Sequence, residues 1–399
     1  MRGCRGKVRF TRLHEPEPVL LAGNDQYSIL AAVRALRAAD YAPWLAVSQP
    51  GTYAAHSRAT VGTVLVPNAA IDSEGFVRKL AATARQLSAV AVLPGEDSHF
   101  LALTGREVDF PGIAFGVPSR ESVEQVMKKD LLPKLAAAAK LRTPPTAKVV
   151  CGDSETLSMF GFPAIVKPLR SWTWNRDGTM SAQRASYASS KEQAEEALKN
   201  FPGAEGLVQP YIPGPNVSIS GVSWEGKLVC AVHHISERIW PATSGVTAYA
   251  KTIPPNGELE QGVGGLLQAT GWSGLFETEF KRSPHGEHYL IDLNPRVYGS
   301  LALAVAAGLN LPGIWVDLVL GRRASVDDSY RVGVRFRQEE KDARALARML
   351  TDGELWYVLQ GLMPRRGTTH AIFSLRDPMP LFTSARKLAK WLRCYDKPR

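Results

Sequence analysis

The chain has 399 residues, 45% hydrophobic and 22% charged. That is the balance of an ordinary soluble protein with room for two or three domains, and it excludes a chain built around membrane spans. The formal net charge of +10 is concentrated at the two ends: residues 1–14 carry five Lys/Arg and no acid, and residues 330–399 carry fifteen Lys/Arg against seven Asp/Glu.

The basic ends suit either nucleic acid or an anionic substrate. They carry no interleaved aromatics on a strand, no zinc pattern and no helix-turn-helix signature, so a solvated basic surface is the expectation and nucleic acid is not. No apolar stretch follows the basic arm 1–14, so no secretory signal is read there. Cys4, Cys151, Cys230 and Cys394 are scattered without metal spacing, the pattern of a reduced, cytoplasmic chain.

In chain order, Val19–Gly23 reads as a short buried strand and Ser28–Ala39 as a helix with Ile29, Leu30, Val33 and Leu36 on one stripe. Strands at 44–47 and 62–67, a helix at 76–87 and a strand at 89–94 follow. This alternation predicts a parallel α/β layer over residues 15–118. Its first turn, Gly23-Asn24-Asp25-Gln26, lacks the dinucleotide glycine fingerprint, so NAD is not assigned. Gly95, Glu96 and Asp97, at a strand's carboxyl end, are a candidate substrate edge.

Ser119 or Ser122 caps a helix running through Met127, and Lys128 to Lys140 also reads as helix. Pro144-Pro145 then forces extended backbone. Pro163-Ala164-Ile165-Val166-Lys167-Pro168 is a buried strand delivering a lysine to its end. Such a lysine either snorkels to water or meets an anion, phosphate being the obvious one. Leu207–Gly214 is a strand and a bend, where Pro210 and Pro213 leave backbone groups free to read the edge of a purine. A hairpin of 217–222 and 227–234 leads to a polar loop at 238–245 and a helix at 258–270.

Glu277-Thr278-Glu279-Phe280 and His288–Arg296 read as two strands of a second hairpin. In the latter, Tyr289, Ile291 and Leu293 alternate with His288, Leu290, Asp292 and Asn294. Glu279 can face Asp292 and Asn294, which gives two carboxylates and an amide oxygen, the hard donors that Mg²⁺ takes. Arg296 would leave the strand beside that ion, where a guanidinium suits a transferring phosphoryl group. An edge hairpin with a solvated polar face is the alternative. The apolar run 301–316, broken by Gly308, Asn310, Pro312 and Gly313, reads as two helices rather than a membrane span.

Taken in order, Lys129, Pro163–Pro168, Val208–Gly214, Glu279-Phe280 and Asp292–Arg296 with Gly299-Ser300 resemble the ATP-grasp superfamily, as in D-alanine–D-alanine ligase, biotin carboxylase and carbamoyl-phosphate synthetase. The resemblance covers roughly residues 119–325, and the preceding layer is similar to the family's N-terminal domain. It implies an ATP-grasp fold of α/β and α+β layers: an arm (1–14), an N-terminal α/β domain (15–118), a two-part ATP-grasp domain (119–325) and a small basic α+β cap (326–399).

It also implies roles. Lys129 and Lys167 would hold the α/β-phosphates. Gln209 and the backbone of Pro210, Tyr211 and Ile212 would hold adenine, and Asn216 stands where many members have a ribose-binding glutamate. Glu279, Asp292 and Asn294 would hold Mg²⁺ (or Mn²⁺), and Arg296 would stabilise the transferring phosphoryl group. Arg238, Ser244 and Gly245 resemble a substrate-side arginine and glycine turn, with Gly299 and Ser300 also on the substrate side. In three places the chain departs from the family: Asp292 replaces a glutamate, Asn216 replaces an acid, and the loop 169–178 carries Arg170, Trp172, Trp174 and Arg176 instead of a glycine-rich flap.

The implied activity is a carboxylate–amine ligase, with ATP and Mg²⁺ activating a small-molecule acid as an acyl phosphate before an amine, from an amino acid or peptide, displaces phosphate. The other readings are a carboxylating or phosphotransferring ATP-grasp enzyme and a non-catalytic nucleotide- or nucleic-acid-binding protein. Either His233 or His234 is a candidate base for the amine, or a satisfied structural histidine. Oligomeric state is open, with a homodimer as one outcome. In the last segment, helices are expected at 341–350 and 384–392, and strands at 332–336 and 369–375.

Overall fold

The computed structural model describes residues 15–384 apart from residues 25, 324, 325, 327 and 364. The basic arm 1–14 and the expected helix beyond Ser384 lie outside the described residues. The first layer is a five-stranded parallel sheet in the order Gly62–Leu65, Ala42–Val47, Pro18–Ala22, Ala91–Pro94, Ala114–Phe115. Its central strands are continuous apolar runs because both faces are covered. Val19 and Leu21 join the core under helix Tyr27–Ala38, whereas Leu20 and Ala22 join the core under helix Ser73–Gln86. The period of two thus feeds one strand into two cores.

A four-stranded antiparallel sheet follows, ordered Ser186–Ala188, Ala164–Lys167, Glu205–Pro210, Ala147–Val150. Helices Ser154–Phe160 and Lys191–Lys199 cover it through Leu157, Ala194 and Leu198. The expected loop 169–178 instead contains a strand, Trp172–Trp174, paired with Met180–Ala182. Its neighbour Met180 donates its N–H to Ala70 O at 2.6 Å, and Met180 and Trp172 meet the apolar face of the first layer.

The largest sheet has seven strands: His288–Asn294, Gly274–Arg282, Asn216–Trp224, Lys227–Trp240, Val246–Thr252, Arg335–Arg337 and Thr368–His370. One face packs on helix Gly257–Thr270 through Ile219, Phe276 and Phe280. The other, through Val222, Val232 and Leu275, shares a core with helix Tyr27–Ala38 and helices Leu301–Ala307 and Leu311–Val319. The last two are bent by 94° at their break, and among the described residues no single helix is long and apolar enough to cross a membrane.

Several elements differ from expectation. Lys128–Leu131 is not helical: the helix Arg120–Met127 stops, and the next runs over Leu132–Ala138. Pro133 opens that second helix, where its missing N–H costs nothing, and Lys129 donates its N–H to Leu169 O in the gap. Arg238–Trp240 belong to a strand rather than a loop, so the turn is only 241–245. In the last segment the strands, shorter than expected, extend the large sheet, the helix Glu339–Thr351 lies near the expected place, and a helix Leu355–Leu362 was not anticipated.

Candidate active site

The expected facing of Glu279 and Asp292 is realised by strand register. Glu279 lies opposite Asp292, Glu277 opposite Asn294, and the register shifts between Glu279 and Phe280. The shift is a β-bulge that makes Ile291 the extra residue. It overturns the strict alternation read from the sequence: Leu290 is buried with Leu293 and Phe280 on the apolar side, whereas Asp292 keeps the polar side. The bulge also frees the Ile291 carbonyl, which accepts the Lys167 Nζ proton at 2.6 Å. The buried strand-end lysine therefore reaches the hairpin and does not snorkel to water.

Lys129 arrives from the broken helix and donates to both Asp292 oxygens at 2.6 Å. Arg296 donates from Nε to Asp97 Oδ2 at 3.0 Å and from Nη2 to Asn294 Oδ1 at 3.4 Å. The candidate edge of the first layer thus meets the hairpin directly. Glu96, beside Asp97, accepts the Asn24 backbone N–H at 2.8 Å and is held by the turn after the first strand.

Charge sets the state of these groups. Burial pulls the Lys167 ammonium down to about 8; Lys129's like charge adds to this while Asp292 opposes it. Burial pushes Glu279 above the usual carboxylate range, and the charge of Asp292 adds to the push. Glu277 is pushed to about 8 by burial and by Glu279. Burial also works against Asp292, but Lys129 and Lys167 outweigh it and hold that carboxyl low. A desolvated cluster of acids with raised affinity for protons is one that a multivalent cation would relieve.

The donor set fits such an ion. Glu279 has no hydrogen-bond or ion-pair partner among the described residues, and it stands in register with Asp292. Among the described residues no group of three or more His, Cys, Asp or Glu side chains could hold a metal, so the donor set this place offers is two carboxylates with the Asn294 amide oxygen. Two carboxylates and an amide oxygen are hard donors of the kind Mg²⁺ takes.

One functional candidate was missed. Glu277 is 6% exposed and accepts a 2.9 Å bond from Ser300 Oγ, which also lies 3.3 Å from His234 Nε2. The sequence signal was present in Glu277-x-Glu279, the same spacing as Asp292-x-Asn294. The histidines separate cleanly. His233 pairs with Glu260 on the helix side at 2.8 Å, whereas His234 faces Ser300 and Glu277, and burial drives its pKa to about 4. His234 is therefore neutral at pH 7.

The residues expected on the nucleotide side fall on two sheets: Gln209 and Pro210 end a strand of the four-stranded sheet, and Asn216 opens the strand Asn216–Trp224 of the large one. Gln209 donates to Thr146 Oγ1 at 2.9 Å. Tyr211 N–H is already taken by Pro163 O at 3.1 Å, so of the backbone groups expected to be free at Pro210, Tyr211 and Ile212, this donor is not. Asn216 is buried, and its Oδ1 has no hydrogen-bond partner among the described residues.

Arg238, Ser244 and Gly245 are not brought to this cluster. Ser218 pairs with both Glu279 and His234, which puts His234 level with the acids. Arg238 is four residues farther along its strand, about 13 Å at 3.3 Å per residue. There it donates to Asp342 Oδ1 at 2.6 Å, with Arg337 on the other oxygen at 3.0 Å, and stacks over Tyr249. Ser244 is exposed in the turn beyond, and a side chain on Gly245 would collide with the Trp240 backbone at 2.0 Å. That glycine is required by the turn itself.

The family model described as "ATP-grasp in the biosynthetic pathway with Ter operon" matches residues 204–342. No curated protein matches the sequence. Among solved structures, L-amino acid ligase from Bacillus licheniformis is similar with a TM-score of 0.60 at 14% identity, over 80% of this chain and 78% of that one. A biotin carboxylase complex from Campylobacter jejuni is similar with a TM-score of 0.61 at 14% identity, over 80% and 74%. N5-carboxyaminoimidazole synthetase from Staphylococcus aureus complexed with ADP is similar with a TM-score of 0.61 at 11% identity, over 83% of each chain.

Proposed function

We propose, from the premise that this chain has the ATP-grasp fold, that it is an ATP- and Mg²⁺-dependent carboxylate–amine ligase. The observation that carries the reading is the meeting of Glu279, Asp292, Lys129 and Lys167 at one bulged hairpin. An L-amino acid ligase among the similar structures supports an amino acid or peptide as substrate.

In this reading Lys129 and Lys167 bind the α/β-phosphates, Lys129 exchanging its carboxylate partner for phosphate oxygens. Glu279, Asp292 and Asn294 hold Mg²⁺, which when bound neutralises the β/γ-phosphates. Gln209, the remaining backbone groups of Pro210, Tyr211 and Ile212, and Asn216 hold the nucleoside. The substrate carboxylate oxygen attacks the γ-phosphorus as the bond to the β-bridging oxygen breaks, giving ADP and an acyl phosphate. The amine then attacks the acyl carbon, phosphate leaves and the amine proton is lost. Arg296, fixed by Asp97, faces the charge on the transferring group. Positioning and charge neutralisation supply the catalysis, and no nucleophilic triad is required.

We divide the chain, on the same reading, into the segments 15–118, 119–325 and 326–399, and place it in the cytoplasm. The second reading is carboxylation, favoured by the biotin carboxylase similarity. One assay separates them: ADP release measured over a matrix of amino acids and small peptides, with and without bicarbonate. Release that needs both an acid and an amine supports ligation. Release that needs bicarbonate supports carboxylation, and phosphate recovered on an isolable substrate supports a kinase.

A further inference from the structure

Lys341 opens helix Glu339–Thr351 in the basic last segment, and its Nζ donates to Tyr27 Oη at 3.1 Å. Tyr27 opens the first helix of the α/β layer. The first layer and the last segment therefore meet at this point, beside the proposed site. A Cβ on Gly299 would lie 2.9 Å from Tyr27 Oη, and the next residue, Ser300, holds Glu277. The charges of Glu277, Arg296, Glu339 and Glu340 all act on the Tyr27 hydroxyl.

The pair is incomplete. Lys341 is half-buried and makes no ion pair among the described residues. The acids beside it in sequence are occupied: Glu339 accepts the backbone N–H groups of Ile372 and Phe373, and Glu340 pairs with Arg344 at 2.6 Å. The Tyr27 hydroxyl accepts from Lys341, and its own proton has no acceptor among the described residues. One ammonium and one hydroxyl proton converge with no carboxylate in hydrogen-bond contact among the described residues, and a carboxylate has two oxygens to accept them. Burial draws the Lys341 pKa down to about 8, with the charge of Glu340 opposing the fall and Arg184 and Arg344 adding to it, a cost that an anion would offset.

We propose that Lys341 and Tyr27 form an anion subsite on the substrate side of the cleft, which holds a carboxylate that is not the one phosphorylated. The inference rests on the ligase reading and narrows it: one of the two substrates carries a further carboxylate, as a free amino acid or a peptide with a free C-terminus does. Gly299 is then needed so that the backbone after Arg296 can pass close to the Tyr27 hydroxyl.

The test is a thermal-shift titration of the full chain with Mg²⁺ and a non-hydrolysable ATP analogue, using L-amino acids and their carboxamides as paired probes. In the wild type at least one free acid should protect more than its amide. Lys341→Met should weaken binding of that acid about tenfold or more while leaving the nucleotide-induced shift in place, Lys341→Arg should retain the preference, and Tyr27→Phe should reduce it. A purely structural tether predicts a lower midpoint in Lys341→Met with the acid-over-amide preference intact, and that result would overturn the inference. A nucleotide shift with no acid preference in the wild type would overturn it too, leaving the ligase reading standing. No nucleotide shift at all would overturn both.

Discussion

Two places on the large sheet hold buried charge, and they are balanced differently. Around Arg238, two guanidiniums share the single carboxylate of Asp342, whose side chain is 2% exposed, and an aromatic ring covers them. At the bulged hairpin, Glu277 and Glu279 are pushed toward protonation, and Lys167 toward deprotonation, by their own burial. The first place pairs its acid within the fold, although Arg238 Nη2 and Arg337 Nε keep no hydrogen-bond partner among the described residues; the second is arranged for charges it does not itself supply. The contrast shows why a plain acid two residues from a proposed ligand can belong to the same place in the fold.

The comparison can be broken by mutation. Arg296→Ala should reduce product formation on the order of 10²–10³-fold, as loss of one transition-state donor does, while largely sparing ATP binding; normal turnover would remove Arg296 from its role. Asp342→Ala should instead cost about 3 kcal/mol of stability by leaving two half-buried cations without their carboxylate, read by denaturant unfolding. Glu279→Gln should raise the Mg²⁺ concentration for half-maximal ADP release by about 10- to 100-fold.

A pH series sharpens the contrast further. Because folding raises the Glu277 pKa from its ordinary value to about 8, the native state binds the extra proton between about 4.5 and 8. This contribution therefore favours the fold at low pH and is lost as pH rises through that window. Glu277→Gln should flatten the metal-free stability profile there and raise the thermal midpoint at pH 8 by about 2 °C or more. Ser244→Ala, in the exposed turn, should change turnover less than about twofold, the smallest effect expected.

Much of this was legible in residues 15–323. Buried apolar strands, their helical stripes and the Asp292-Leu293-Asn294-Pro295-Arg296 run carry local signals that tertiary contacts do not override. Other features depended on long-range pairing. The bulge at Ile291 arises from register against Glu279 and Phe280, and period two alone placed Leu290 on the wrong face. The break at Lys128–Leu131 is secured by the Lys129 N–H bond to Leu169 O, forty residues away, which propensity does not encode. The partner of Arg238, Asp342, lies 104 residues on, which no local pattern encodes. Lys341 looked like one more surface cation until the fold set it against Tyr27.

The most direct measurement of the central claim is calorimetric titration of a non-hydrolysable ATP analogue into the wild type and the Lys129→Met/Lys167→Met double variant, with and without Mg²⁺. The account predicts binding that Mg²⁺ strengthens by tenfold or more in the wild type and that the double variant loses. Equal affinity in both proteins, indifferent to Mg²⁺, would contradict it.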